Sequence, residues 1–162
     1  MKNNKTRYFF LWLFLLLFTT YQAIAAQKVN TFAEFKGYWA YGCGDDVDYP
    51  GYIEVTDKNK IVINVADNQI YLITRAEVSK NNTQVFNLYY KSSDVGRGGM
   101  DIPWKKVSNS VIIGTLQLVK EKKLLFKWCG LKDANNQKIK LPFYSFPFNK
   151  HNTNAMLVKC EN

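Results

Sequence analysis

The chain has 162 residues, with 22 Lys and Arg against 13 Asp and Glu, a formal charge of +9, and an aromatic content of 15%. That length holds one hydrophobic core and is too short for two ordinary domains. Its basic residues are scattered, as at Lys58, Lys60, Arg75, Lys91, Lys105 and Lys106, and bunch only at Lys120, Lys122 and Lys123; scattered charge is a solvated surface, which argues against a nucleic-acid partner.

In chain order, Lys2, Lys5 and Arg7 precede an apolar run from Tyr8 to Phe18 and the small-residue stretch Ala23-Ile24-Ala25-Ala26. This is the order of a cleavable export signal. The apolar run covers about half of the ~20 residues that a membrane-spanning helix needs, so stable membrane insertion is not expected. Cleavage after Ala25 leaves one domain, residues 26–162, with its formal charge reduced from +9 to +6 by loss of Lys2, Lys5 and Arg7. The expected location is the periplasm or the secreted fraction.

Thr31-Phe32-Ala33-Glu34 has the Thr-x-x-Glu spacing in which each side chain can satisfy the other's free backbone N–H at a helix start, and Gly37 limits that helix to a turn or two. Strands follow. Tyr52–Thr56, Lys60–Val65, Gln69–Thr74 and Gln84–Lys91 are rich in Val, Ile, Tyr and Phe and are separated by Asp-, Asn-, Ser- and Lys-bearing turns. Ile61, Ile63 and Val65 alternate with Lys60 and Asn64, and Leu124, Phe126 and Trp128 alternate with Lys127, so each strand has one buried and one wet face. Val111–Val119 and Lys123–Cys129 read as a hairpin, and Ala155–Cys160 as a last strand. With no run of helical period and length, the expected fold is all-β: a single antiparallel β-barrel or sandwich with a short N-terminal helical turn.

Phe35-Lys36-Gly37-Tyr38-Trp39 opens the first strand. It resembles the F-x-G-x-W start of lipocalins and related small barrels. The resemblance implies an up-and-down barrel plugged by the tryptophan and able to hold an apolar ligand. The family's later Thr-Asp-Tyr motif has no counterpart here, and Trp39 also reads simply as a core residue.

Three stretches carry candidate binding groups. Gly42 to Gly51 gathers Asp45, Asp46 and Asp48 beside Tyr49; like charges so close require solvent or a cation, but the EF-hand spacing and closing glutamate are missing, and no metal site is expected. Ser92 to Trp104 mixes glycines with Asp94, Arg97, Met100 and Trp104, a composition suited to protein recognition, and lacks any nucleotide-binding fingerprint. Leu141 to Phe148 sets four aromatic rings among two prolines, which forbid a central strand and make this an edge or a cover over the core.

Cys43, Cys129 and Cys160 remain after export. Two of them should form a disulfide and the third should stay free or join another chain, and spacing leaves all three pairings open. The sole histidine, His151, is the only partner of its kind for a nucleophile, and no Ser, Cys or metal signature surrounds it. The expected function is therefore an exported, non-enzymatic protein-binding module without cofactor, inhibitor-like or immunity-like, that uses loops around Asp45–Tyr49 and Asp94–Trp104. A lipocalin-like carrier of a small apolar ligand is the first alternative and a hydrolytic enzyme of unrecognised type the second. Within the inhibitor class, the basic domain is poorly suited to a basic lysozyme.

Overall fold

The computed structural model describes residues 31–44, 51–65, 70–95, 99–140 and 153–161. Helix α1 (Phe32–Phe35) leads into strands β1 (Gly37–Ala40), β2 (Tyr52–Asp57), β3 (Lys60–Val65), β4 (Ile70–Val78), β5 (Val85–Val95), β6 (Ile112–Lys120), β7 (Lys123–Trp128) and β8 (Asn154–Cys160). Every strand pairs antiparallel with its neighbour in sequence, and β8 returns to β1, closing an eight-stranded barrel. Closure settles the barrel-or-sandwich alternative: Tyr38, Trp39 and Ala40 pair with Cys160, Lys159 and Val158, leaving no edge strand.

The alternation seen in the sequence becomes inside and outside. Ile53 and Val55 on β2, Ile61 and Ile63 on β3, Ile70 and Leu72 on β4, and Leu124 and Phe126 on β7 are each at most 2% exposed. An eight-stranded barrel is narrow enough for its own side chains to fill it, and these inward side chains are closed off from solvent. Gly114 on β6 is part of that fit, since a Cβ there would stand 3.0 Å from the Phe126 ring and 3.0 Å from the Lys127 carbonyl oxygen.

One end of the barrel is shut by α1. Phe32 and Phe35 set their rings against Phe86 at 5.1 and 4.9 Å, edge-on in both cases, and the fully buried Trp39 donates its indole N–H to the Phe35 carbonyl at 2.7 Å. The only polar atom of the largest core side chain is thereby satisfied. The Thr31 side chain makes no cap bond; the turn is held instead by backbone bonds, such as Glu34 N–H to the Thr31 carbonyl, and by burial of Phe35. Packing overrode the local cap.

Beside this plug, Lys159 lies with its ammonium 5.5 Å from the centre of a Trp39 ring. Gly37 makes the room: its φ of +126° disfavours any other residue, and a Cβ would meet the Lys159 Cε at 2.8 Å.

Candidate functional site at the loop-bearing end

In an up-and-down barrel alternate connections emerge at the same end. The β2–β3, β4–β5 and β6–β7 turns lie on the α1 side, so the β1–β2, β3–β4, β5–β6 and β7–β8 connections belong to the opposite end. Both loops expected to bind a partner therefore join strands at that one end. Of the residues singled out in them, Asp94, Met100 and Trp104 are described, whereas Asp45, Asp46, Asp48, Tyr49 and Arg97 lie outside the described residues, as do the aromatic stretch 141–148 and His151.

The β5–β6 and β7–β8 connections stopper this end. Ile102 and Leu131 are 3% and 1% exposed within the core, and Trp104, Val107 and Ile139 pack against it. Backbone bonds hold the stopper: Ser108 N–H to the Lys132 carbonyl at 2.8 Å ties one connection to the other, and Ile139 N–H to the Leu131 carbonyl at 2.9 Å folds the second on itself. Trp104, in a short 3-10 turn (Trp104–Lys106), donates its indole N–H to the Gly99 carbonyl at 2.8 Å. Its ring stacks on Tyr90 with centroids 6.0 Å apart. Trp104 is thus engaged by the fold, whereas Met100 beside it is 73% exposed.

The cysteines resolve into a Cys43–Cys160 disulfide and a free, half-buried Cys129. The bridge spans 117 positions and joins the β1–β2 connection to the last strand, across the seam where the first strand pairs with the last. A disulfide fits an oxidising, non-cytoplasmic location. Among the described residues no helix is long and apolar enough to cross a membrane, and no three His, Cys, Asp or Glu side chains are grouped to hold a metal ion.

A second surface adjoins the same end and has no signal in any single stretch of sequence. Strand registers align Ala40, Tyr52, Asn64, Tyr71 and Asp94 in one outward row, with Tyr38, Glu54, Val62, Ile73 and Ser92 in the next. The Tyr38 and Tyr52 rings lie 4.5 Å apart. Asn64, whose strand alternation marks it as wet, is only 6% exposed among these tyrosines, and its Oδ1 accepts no hydrogen bond. Burial pushes the Tyr52 phenol above its usual ionisation range, a hydrogen bond from the Asn64 side chain partly offsets this, and Tyr71 and Glu54 nearby push it up again. Tracking the parity of Tyr38, Tyr52 and Tyr71 against the inward residues would have flagged the face, but only once the registers were known.

The chain matches no family model, no curated protein and no solved structure.

Proposed function

We propose that this chain is an exported, non-enzymatic binding protein that recognises another envelope or secreted protein through its loop-bearing end, in the manner of an inhibitor or immunity protein. The observation that carries the reading is the contrast between a barrel whose inward side chains are buried and whose end is stoppered by Ile102 and Leu131 and the length of the β1–β2, β5–β6 and β7–β8 connections that join strands at that end. A carrier needs a hollow interior with an entrance, whereas a protein binder needs a rigid platform with projecting groups. Met100, exposed beside the seated Trp104, is an apolar anchor of the kind that interfaces bury, and Arg97 in the same connection supplies a bidentate donor. The disulfide suits the periplasm or the secreted fraction.

Pull-down from envelope extract with the mature domain, and with an Arg97→Ala, Met100→Ala variant, tests this. Trp104 is left intact because its removal would uncover the core. The wild type should retain one protein and the variant about tenfold less, since losing an interface anchor costs on the order of 1–2 kcal/mol. Equal retention by both would move the site away from this connection. A stoichiometric lipid in place of a protein would replace the reading with that of a carrier.

A further inference from the structure

We infer that the lysines gathered on the stopper of the loop-bearing end take an acidic segment of the partner, a run of carboxylates. The inference rests on the protein-binding reading above and adds the chemistry of what is bound.

The starting point is a pair of like charges that the backbone sets face to face. Within the β7–β8 connection, Ile139 N–H reaches the Leu131 carbonyl at 2.9 Å and Asp133 N–H reaches the Gln137 carbonyl at 3.0 Å. Lys132 and Lys138 are the bridged pair enclosed between those bonds. A pair so placed exchanges no bond of its own and holds its side chains closer together than a hydrogen-bonded pair, on one face. Leu131 and Ile139 pack on the core, so the lysines, opposite in parity, look outward. Like charges directly across a ladder destabilise it. The one carboxylate of this segment, Asp133, is committed to the turn, where its Oδ1 accepts the N–H groups of Asn135 and Gln137, both at 2.9 Å.

The fold adds cations that the sequence keeps apart. The bond from Ser108 N–H to the Lys132 carbonyl, at 2.8 Å, lays the β5–β6 connection alongside, and with it Lys105 and Lys106 of the 3-10 turn. Lys140 follows Ile139. Lys132 is half-buried, and Lys105, Lys106, Lys138 and Lys140 are exposed. Among the described residues none of them makes an ion pair. Residues 96–111 and 129–153 together hold seven Lys and Arg against two Asp, a charge of +5 within a domain expected to carry +6. The positive excess of the domain is thus concentrated in two adjoining connections, where it steers an acidic surface toward them. A carboxylate accepts from more than one ammonium group, so a run of them relieves the repulsion that the free protein sustains. Met100, 73% exposed in the same β5–β6 connection, favours the carboxylates of a protein over a phosphate polymer, because an apolar anchor needs apolar side chains to meet.

The test uses the mature domain and three probes: a blocked peptide Glu-Glu-Leu-Glu-Glu-Leu-Glu-Glu, its counterpart with Gln for every Glu, and inorganic tripolyphosphate. In nuclear magnetic resonance titration the acidic peptide should move the backbone amide signals of Lys105, Lys106, Lys132 and Lys138 and the Met100 methyl. The Gln peptide should leave them still, and added salt should weaken the acidic peptide's binding. A Lys132→Gln, Lys138→Gln variant should bind the acidic peptide about fivefold more weakly, whereas Lys120→Gln with Lys123→Gln, at the far end of the barrel, should bind it as the wild type does. The first variant should melt no lower than the wild type; a lower midpoint would show the two lysines satisfied within the fold and overturn the inference. No shift with the acidic peptide, equal shifts with the Gln peptide, equal weakening by both variants, or tighter binding of tripolyphosphate would each overturn it as well. So would a domain that takes the peptide only after Asp45, Asp46 and Asp48 are changed to Asn, because the occupant would then be this chain's own connection. The outcome is separable from that of the pull-down: a protein retained by a domain whose lysines ignore the acidic peptide leaves the binding function standing and removes this site from it.

Discussion

The two ends of the barrel are built to opposite plans. At the α1 end the β2–β3 and β6–β7 connections are two-residue turns, at Lys58-Asn59 and at Glu121-Lys122, where Lys122 adopts a φ of +60°, and the interior is closed by Phe35 and the fully buried Trp39. At the other end the β1–β2, β5–β6 and β7–β8 connections are long, and among their described residues Ile102 and Leu131 turn inward. The first end stabilises the fold and the second presents surface. The difference teaches that strands held at one end by a packed plug can carry longer connections at the other, because their registers are already fixed from the far side.

Truncation of the two stoppering tryptophans is the strongest test of that division. Trp39→Ala removes a fully buried ring together with its bond to Phe35 and should cost about 3–5 kcal/mol. Trp104→Ala, which removes a half-buried ring, should cost about half as much, on the order of 2 kcal/mol. Chemical denaturation measures both, and equal losses would break the distinction between the ends.

The disulfide comes next. Cys43→Ser with Cys160→Ser should lower stability by about 2–4 kcal/mol, since the bridge closes a long loop and ties the first strand to the last. The effect should be reproduced by reductant in the wild type. Alkylation of the native protein without reductant should label one thiol, Cys129. Labelling of three would show the seam unbridged.

A smaller effect belongs to the phenols of the loop-bearing side. Burial raises the ionisation of both Tyr41 and Tyr52 above the ordinary value of 10.0. With the folded pKa above the unfolded one, the unfolded chain loses its protons first, so stability holds below about pH 10 and falls as pH rises through the folded value. Tyr52→Phe should flatten that alkaline decline, and a decline of unchanged steepness would assign it elsewhere.

The smallest effect is expected at the α1 end, where Lys122 and Glu161 form an ion pair at 2.6 Å on open surface. Each holds the other in its charged form, raising the Lys122 pKa and lowering that of Glu161, yet solvent screens such pairs. Lys122→Gln should leave the melting midpoint unchanged, and a clear fall would show that surface charge contributes to closing this end.

Much of this architecture was legible before any coordinates. The alternation of Ile61 and Ile63 with Lys60, and of Leu124, Phe126 and Trp128 with Lys127, assigned inward positions correctly, because side-chain direction in a strand depends only on a residue's own place in a period of two. Phe35-Lys36-Gly37-Tyr38-Trp39 pointed to an up-and-down barrel with a buried tryptophan near its start, and the barrel is present. The inward lean of Trp104 was not legible, since composition marks an aromatic in a glycine-bearing loop as an anchor without saying which way it faces.

Closure, the disulfide and the tyrosine face were decided by tertiary structure alone. Barrel or sandwich turns on whether β8 meets β1, and that pairing joins Tyr38 to Cys160 across nearly the whole domain. The choice of Cys43 over Cys129 follows from the same seam. Tyr38, Tyr52, Asn64, Tyr71 and Asp94 come from five different strands and neighbour one another only because each ladder has one register. A local pattern tells each strand which face is in; which residues become neighbours across strands is set by registers between segments, which no segment carries by itself.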